Sequence, residues 1–313
     1  MTNKSSNYTP VVLFCYNRPD LTLKTLKALE ENMLAKYTDV YVFVDGPKNN
    51  SDAMKVEETI SIVKREYGFK SLNVSTQSKN KGLAKSIIDG VSSVINKHEK
   101  VIVLEDDLIT HTSFLSYMNE ALTFFEDKSN IWSISGYTPN IKLPENYKSD
   151  IFLTLRGSSW GWATWKDRWE NVKWEWKEKD FQEFISKKPC LDLIGEDIYH
   201  LTKDYKNGFI DSWAIRWTNT QFNLEKFTVF PRYSFIQNEG FGGDSTHGSL
   251  NDKFKTELSK TNFKINLSQV QYDKEIEKIY SDLYKLKAYN KIAIILKKIK
   301  IYKLTKKLMK KIR

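Results

Sequence analysis

Runs of consecutive apolar residues divide the first third of the chain into regular segments. Residues 10–16 (PVVLFCY) and 101–104 (VIVL) lack the alternation of a half-exposed strand, a pattern typical of strands buried on both faces. Further strands are predicted at 39–44 and 72–75, and stretches with helical spacing lie between them, at 21–34, 53–67 and 81–94. This β-α-β-α-β-α-β order over about the first 110 residues predicts an α/β fold, with a mostly parallel central sheet flanked by helices.

The pattern is less regular after residue 110. Helices are predicted at 113–125 and from 213 to 222, a largely helical stretch at 181–205, and short strands at 131–137, 152–155 and 228–230. Two loops are predicted, a tryptophan-rich one at 156–165 and a glycine-rich one at 237–248. We expect two halves of one domain, 1–110 and 111–262, followed by a basic helical tail at 263–313.

The positive charge of the chain is concentrated at its end. The formal net charge is +10, yet residues 283–313 contain eleven lysines, one arginine and no acid, which leaves −2 for the rest. A nearly neutral body argues against nucleic acid as a partner, because a nucleic-acid-binding domain carries its basic patch on the folded surface. Apolar residues at near-helical spacing among the lysines predict a helix that binds an anionic membrane surface, although a solvated or protein-binding helix has the same pattern.

The expected location is the cytoplasm, with the tail on the inner face of the plasma membrane. The two cysteines, Cys15 and Cys190, form no disulfide framework and no metal-binding spacing, which favours a reducing compartment. The first ten residues lack the apolar core of a signal peptide, and the chain has no run of eighteen apolar residues.

Three consecutive carboxylates, Glu105, Asp106 and Asp107, follow the predicted strand at 101–104. The two preceding long strands also end in polar residues, at Asn17-Arg18 and at Asp45. The carboxyl ends of parallel strands share one edge of a sheet, where α/β folds bind ligands. Adjacent carboxylates repel one another, so a hard cation such as Mg²⁺ or Mn²⁺ would suit this edge, although an acidic surface turn is the simpler alternative.

The ordered motifs resemble nucleotide-sugar glycosyltransferases of the GT-A fold. The likeness is to the bacterial family 2 enzymes and, in motif order, most of all to the N-acetylglucosaminyltransferase I family. It rests on seven segments and covers residues 9 to 250: Tyr16-Asn17-Arg18-Pro19, Asp45-Gly46, Leu104-Glu105-Asp106-Asp107-Leu108, Trp132-Ser133-Ile134-Ser135-Gly136, Gly161-Trp162, Asp211-Ser212-Trp213 and Ser245-Thr246-His247-Gly248. The resemblance implies a metal-dependent, inverting transfer from a UDP-sugar, such as UDP-N-acetylglucosamine or a UDP-hexose. The acceptor would be a glycan or a lipid-linked glycan in bacterial surface polysaccharide synthesis. By the same resemblance, residues 1–110 would form the half that binds the nucleotide-sugar, and residues 111–262 the half for acceptor binding and catalysis.

The resemblance also assigns roles to individual residues. It implies that Asp107 ligates Mn²⁺ or Mg²⁺ on the donor diphosphate and that His247 completes the metal shell, although His247 could equally bond only to loop backbone. By the same resemblance, Glu105 and Asp106 would contact the ribose and the sugar of the donor. Asn17, Arg18 and Asp45 would surround the uridine and phosphate, and Trp160 and Gly161 would belong to a substrate loop. The glycine-rich segment from Gly240 to Asp244 would be a lid ordered by the donor.

An inverting transfer needs one carboxylate that deprotonates the acceptor hydroxyl. Asp211 is preferred because it comes just before Trp213, which matches the region that holds the base in the resembled family. The match is incomplete, because this chain has Asp-Ser-Trp where the eukaryotic members have two acids before the tryptophan. Aspartate is also a common helix cap, so Asp211 could have that role instead. The alternatives are Glu239 and the pair Glu196 and Asp197, which the pattern places within a helix.

Two other functions are compatible with parts of the sequence. A sugar-nucleotide nucleotidyltransferase has a similar sheet and acidic metal site, but it should carry a glycine-rich phosphate loop where this chain has Tyr16-Asn17-Arg18-Pro19. A non-catalytic glycan-binding protein would explain the tryptophans but would not need the carboxylate triplet. Trp165, Trp169 and Trp174 are predicted to belong to the core.

Overall fold

The first half of the chain alternates strands and helices as predicted. A computed structural model describes residues 8–240, 254–258, 264–268 and 270–286. Its first elements are β1 (Val11–Cys15), α1 (Pro19–Glu30), β2 (Asp39–Val44), α2 (Asn50–Val63), β3 (Ser71–Thr76), α3 (Leu83–His98) and β4 (Lys100–Glu105). β1 pairs in parallel with both β2 and β4, and β2 pairs in parallel with β3.

The second half adds shorter elements. They are β5 (Leu108–Thr110), α4 (Phe114–Phe124), β6 (Ile131–Ser135), β7 (Ile151–Thr154), β8 (Trp162–Trp165), α5 (Lys166–Glu170), α6 (Glu178–Ser186), α7 (Lys188–Leu191), α8 (Glu196–Lys206), α9 (Trp213–Asn223), β9 (Phe227–Pro231), β10 (Ile236–Asn238) and α10 (Lys274–Asp282). Single turns of 3₁₀ helix lie at Ala35–Tyr37 and Asp192–Ile194. Within the described residues, no helix is long and apolar enough to cross a membrane.

One eight-stranded sheet joins the two halves, in the order β3-β2-β1-β4-β8-β6-β9-β7. β8 is antiparallel to both β4 and β6, and β7 is antiparallel to β9, so the other six strands share one direction. β5 and β10 form a separate two-stranded antiparallel ribbon. The predicted α/β fold with a mostly parallel sheet is therefore confirmed.

Helices cover both faces of the sheet, which is why β1 and β4 are continuous apolar runs. Leu13 and Leu104 face a core shared with α1, α2 and α4, whereas Val12 and Val103 face a second core shared with α3 and α9. All four side chains are at most 1% exposed. A strand with apolar partners on both faces has no polar positions to alternate with, as the sequence indicated.

The loop predicted at 156–165 ends at Gly161, whereas the prediction that 181–205 is largely helical is confirmed. Residues 162–165 form β8, a fully buried strand in the middle of the sheet. Residues 181–205 contain three helices and a 3₁₀ turn, and Glu196 and Asp197 are the first two residues of α8 rather than mid-helix positions. Trp165 and Trp169 are buried as predicted, while Trp174 is partly buried against the second core.

The strand order places a crevice between the carboxyl ends of β1 and β4. From β1, the chain continues outward to β2 and β3 on one side, whereas β4 lies on the other side. Such a reversal of strand order opens a gap between the connections at the edge of the sheet, and open α/β sheets bind their ligands there. The residues that follow β1 and β4 are therefore the first place to look for a site.

Candidate active site

The carboxylate triplet lies at this crevice. Glu105 ends β4, and Asp106 and Asp107 form the turn into β5. Asp106 accepts hydrogen bonds from the Tyr16 backbone N–H at 3.2 Å and from Arg18, so it connects the end of β4 to the end of β1. The Asp106 side chain is 2% exposed and that of Asp107 is 13% exposed, which leaves Asp107 the more accessible carboxylate of the two.

Burial and mutual repulsion make two of the three carboxylates, Glu105 and Asp106, costly to ionise. Burial, together with the neighbouring Asp107 and Asp106, raises the pKa of Glu105 to about 8. Burial also raises the pKa of Asp106 to about 6, although the positive charge of Arg18 opposes this change. A bound cation would favour the ionised forms of these carboxylates and would offset the cost of burying their charge.

Arg18 is the cation that contacts the triplet in this structure. Its Nη1 lies 2.8 Å from Asp107 Oδ2, and its Nη2 contacts Asp106 Oδ1. Arg18 directly precedes α1, and its carbonyl accepts the Thr22 N–H at 2.9 Å, so the backbone beneath the guanidinium is fixed by the helix. The resemblance implied a phosphate contact for Arg18, whereas here it pairs with the carboxylates.

The ribbon of β5 and β10 brings a distant segment onto Asp107. The Glu239 N–H donates to the Asp107 carbonyl at 2.9 Å, and the Gly240 N–H donates to Asn238 Oδ1 at 2.7 Å. A Cβ added to Gly240 would lie 2.2 Å from Asp107 Oδ2, so any larger residue at this position would require the carboxylate or the chain to move. Lys24 of α1 pairs with Glu239 at 2.7 Å, which gives this candidate base a cationic partner.

Asn17 and Asp45 are held by contacts within the protein. The Asn17 amide donates to Asp52 at 3.2 Å, and the Tyr16 hydroxyl donates to the same carboxylate at 2.8 Å. Asp45 is 7% exposed and accepts the backbone N–H groups of Lys81 at 2.8 Å and Gly82 at 3.0 Å. Asp45 therefore fixes the start of α3 at the same edge of the sheet.

Trp160 and Gly161 lie in the loop just before β8, which runs antiparallel to β4 with Trp162 opposite Val103. The Trp160 ring packs against the rings of Tyr137 and Phe254, with centroid distances of 4.6 and 6.2 Å. Gly161 has a φ of +60°, and a Cβ there would lie 2.6 Å from Ile236 Cγ1. The Gly161 carbonyl accepts the Gly136 N–H at 2.6 Å. Gly161 thus has a structural reason to be glycine, and Trp160 is the partly exposed residue of the two.

The candidate bases differ in their surroundings. Asp211 is 69% exposed and pairs with Arg216 at 2.7 Å. The alternative role of Asp211 as a helix cap is not observed, because Ser212 is the N-cap of α9 and accepts the Ile215 N–H at 3.3 Å.

Glu196 and Asp197 are engaged near the C-terminal end of the described chain. Asp197 accepts two hydrogen bonds from Arg156, at 2.6 and 3.0 Å, and this guanidinium stacks 3.4 Å above the Tyr284 ring. Glu196 accepts the Leu286 N–H at 3.0 Å. Both carboxylates therefore help to dock residues 284–286 against α8.

The residues present suit a hard divalent cation that is also bound to a diphosphate. Mg²⁺ in particular is commonly held by one or two carboxylates together with substrate phosphates and water. Asp107, with Asp106 beside it, offers such a partial shell. Within the described residues, no group of three or more His, Cys, Asp or Glu side chains gathers around one point, so the remaining ligands would come from the donor and from water. His247 and Asp244 lie outside the described residues.

The structure gives two positions contacts with candidate site residues that the sequence did not indicate. Asp52 is an acid in the first turn of α2, and Gly240 was predicted only as the start of a glycine-rich lid. Their importance comes from contacts with Tyr16 and Asp107, which are distant in sequence. The one signal in the sequence is proximity along the chain: Asp52 follows Asp45 by seven residues, and Gly240 opens the glycine-rich segment.

Comparisons with known proteins find similarity only at the level of structure. No family model matches the sequence, and no curated protein matches it. TarS from S. aureus is 15% identical with a TM-score of 0.31, over 49% of this chain and 26% of TarS. Mannosyltransferase PcManGT from Pyrobaculum calidifontis, in complex with GDP-Man and Mn²⁺, is 10% identical with a TM-score of 0.35, over 70% of each chain.

A third solved structure comes from Bacillus anthracis and is described as a glucose-1-phosphate thymidylyltransferase. It is 12% identical with a TM-score of 0.28, over 44% of this chain and 61% of that chain. The chain thus spans less than two thirds of two of these three proteins.

Proposed function

We propose that this chain is a metal-dependent, inverting glycosyltransferase of the GT-A fold that uses a UDP-sugar. The observation that carries the proposal is the position of Asp106 and Asp107. They lie at the reversal of strand order between β1 and β4, in contact with Arg18 from the end of β1. This arrangement combines oxygen ligands for a cation with a guanidinium for a diphosphate. A nucleotidyltransferase is less well supported, because no glycine-rich phosphate loop follows β1.

The proposed donor site extends along the edge of the sheet. Asp107 would hold Mn²⁺ or Mg²⁺, with His247 a further candidate ligand, and the cation would stabilise the charge that the leaving nucleoside diphosphate gains. Glu105 and Asp106 would contact the ribose and the donor sugar, and Trp160 with Gly161 would border the sugar. Asn17 and Asp45 would form the uridine side, where their contacts to Asp52 and to the start of α3 hold them in place.

Asp211 is our candidate for the base that accepts the proton of the acceptor hydroxyl. Asp211 is mostly exposed and has an ion pair with a single side chain, whereas Asp197 makes two short bonds to Arg156 and Glu196 binds the Leu286 N–H. A base must be accessible to the acceptor, and Asp211 meets this requirement best.

A matched pair of variants separates the two roles. We expect Asp211→Asn to lower kcat by about 10²- to 10⁴-fold, the usual contribution of a general base, with little change in thermal stability because the ion pair is exposed. Asp197→Asn should instead destabilise the fold by roughly 3 kcal/mol, because it leaves the Arg156 guanidinium short of its partner, and should retain most of the turnover. A stable, fully active Asp211→Asn enzyme would exclude Asp211 as the base.

The acceptor proposed here is a glycan or a lipid-linked glycan in surface polysaccharide synthesis. The chain would act in the cytoplasm, peripherally on the inner face of the plasma membrane through its basic tail. Residues 287–313 lie outside the described residues, and the support is their lysine content. Cosedimentation with vesicles that contain anionic lipid, but not with purely zwitterionic vesicles, and its loss in high salt, would support this location.

The function itself is tested by incubating the protein with UDP-, GDP- and dTDP-sugars, with Mn²⁺ or with a chelator, in the absence of acceptor. Slow metal-dependent release of a nucleoside diphosphate and free sugar from one donor is the expected result. Formation of a nucleotide-sugar from a nucleoside triphosphate and a sugar phosphate would indicate a nucleotidyltransferase instead. If no donor is consumed and no nucleotide raises the melting temperature, the binding-protein alternative is favoured.

A further inference from the structure

Arg18 occupies the carboxylate oxygens that a metal ion would need. Its two terminal nitrogens reach different acids, Nη1 lying 2.8 Å from Asp107 Oδ2 and Nη2 contacting Asp106 Oδ1. Among the ion pairs of the described residues, those of Arg18 alone involve the triplet. The guanidinium therefore acts as the counter-ion of a site that would otherwise hold unpaired buried charge.

Two features of this contact oppose simultaneous binding of a metal ion. Asp107 Oδ2, which Arg18 contacts, is also the oxygen against which Gly240 packs, so its free directions are few. Asp106 is 2% exposed and already accepts the Tyr16 N–H, so it has little capacity for a further ligand while Arg18 is bound. A divalent ion placed among the same oxygens would also repel the guanidinium at close range.

The Arg18 side chain has room to leave, whereas its backbone does not. The side chain is 31% exposed, which is far more than the acids it contacts. The backbone is held at the start of α1 by Pro19 and by the Thr22 N–H. A rotation of the side chain would therefore move the guanidinium away from the acids while it stays at the mouth of the crevice.

We propose that Arg18 competes with the catalytic metal for Asp106 and Asp107 and transfers to the donor diphosphate when the metal binds. This inference rests on the proposed function. A guanidinium pairs with phosphate oxygens as well as it does with carboxylates, because both offer two acceptors in matching geometry. The metal alone must displace Arg18 without giving it a new partner, whereas the metal with a diphosphate provides one. Metal and nucleotide therefore bind cooperatively, and an enzyme without donor binds the metal weakly.

The test measures binding of Mn²⁺ alone, followed by titration in the presence of UDP, by calorimetry or by the electron paramagnetic resonance signal of free Mn²⁺. We expect Arg18→Gln to bind Mn²⁺ alone on the order of tenfold more tightly than the wild type, within the range of ordinary coupling between two ligands. UDP should improve Mn²⁺ affinity markedly in the wild type and much less in Arg18→Gln, because the variant has lost the group that changes partners.

Lys24→Gln is the matched control. It removes one positive charge from the same helix, but Lys24 is 59% exposed and pairs with Glu239 rather than with the triplet. Its Mn²⁺ affinity should stay within about twofold of the wild type. Arg18→Lys is a second variant in case Arg18→Gln does not fold; its single nitrogen cannot reach both acids, so it should bind Mn²⁺ with intermediate affinity.

The outcomes distinguish this inference from the proposed function. Equal Mn²⁺ affinity in the wild type, Arg18→Gln and Arg18→Lys, with binding still lost in Asp107→Asn, would overturn the competition but keep the metal site. Mn²⁺ binding that does not depend on Asp107 would overturn the metal site itself. If Lys24→Gln tightened Mn²⁺ binding as much as Arg18→Gln does, the effect would come from the loss of any positive charge. That result would also overturn the competition.

Discussion

Replacing Gly240 by alanine tests whether the segment after β10 sets the position of Asp107. A Cβ at this position would lie 2.2 Å from Asp107 Oδ2 and 2.9 Å from Asp107 Cγ. An ordinary contact begins at 3.4 Å, so the carboxylate or the chain at Gly240 has to move by about 1.2 Å. The carboxylate is the easier group to move, because it is the end of a side chain, and the movement would disturb its contact with Arg18.

The expected loss appears in activity more than in stability. Overpacking usually costs about 1–3 kcal/mol of unfolding free energy, and we expect the lower end because a side-chain rotation relieves the contact. A misplacement of about 1 Å at a reacting centre can cost on the order of 10²-fold in rate, or about 2.7 kcal/mol of transition-state stabilisation. The Gly240→Ala enzyme should therefore release UDP from its donor about a hundredfold more slowly, with kcat/KM measured at saturating Mn²⁺.

Gly68→Ala is the control for this experiment. A Cβ at Gly68 would lie 3.6 Å from Glu30 Oε1, an ordinary contact far from the carboxylate triplet. This variant should keep wild-type turnover. A Gly240→Ala enzyme with wild-type kcat/KM and unchanged metal dependence would refute the idea that Gly240 positions Asp107.

Two further predictions concern stability. Burial raises the pKa of Glu277 from 4.5 to about 7, because the folded protein disfavours the charged carboxylate. The contribution of Glu277 to the unfolding free energy is therefore fully present below pH 4.5, and it is lost as the pH rises through about 7. Glu277→Gln keeps an acceptor for the Leu155 N–H, which lies 2.8 Å from the Glu277 carboxylate, and it cannot ionise. In urea unfolding between pH 4.5 and 8.5, the unfolding free energy of this variant should rise relative to that of the wild type by up to about 3 kcal/mol. A difference that does not depend on pH would contradict the assignment. Gly161→Ala should lower the unfolding free energy by roughly 1–3 kcal/mol, because the added Cβ would collide with Ile236 and the backbone φ of +60° disfavours alanine. An unchanged denaturation midpoint would contradict this prediction.

The strands next to the crevice were predictable because their pattern depends on little else. β1 and β4 are covered by helices on both faces, so each is an uninterrupted apolar run, and the acids begin where the run ends. Once the elements alternate as β-α-β, the helical connections make the strands parallel and bring their carboxyl ends to one edge. The placement of Arg18, Asp106 and Asp107 at one edge follows from this, whereas the pairing of β1 with β4 and the direct ion pairs do not.

The second half was less predictable because its strands depend on distant partners. Residues 162–165 look like part of a glycine- and serine-rich loop, yet they pair with both β4 and β6 and are buried in the sheet. β5 and β10 have three residues each, too few to show a period, yet their pairing is what places Gly240 on Asp107.

Local competition between similar residues accounts for the remaining differences. Asp211 and Ser212 are both good helix caps, so the sequence could not show that Ser212 takes this role and leaves Asp211 exposed. Glu196 and Asp197 lie in a stretch with continuous helical spacing, but the helix begins only after Gly195. Their binding to Arg156 and Leu286 depends on a C-terminal segment whose position the local pattern does not indicate.

The most direct test of the central claim compares Mn²⁺-dependent release of nucleoside diphosphate from the preferred nucleotide-sugar by the wild type and by Asp107→Asn. Asparagine keeps the size of the side chain and removes the charge that a hard cation requires. We predict that the wild type releases diphosphate with Mn²⁺ and not with chelator, and that Asp107→Asn loses this activity while remaining folded. A folded Asp107→Asn protein that turns over donor at the wild-type rate, with the same Mn²⁺ dependence, would contradict the account.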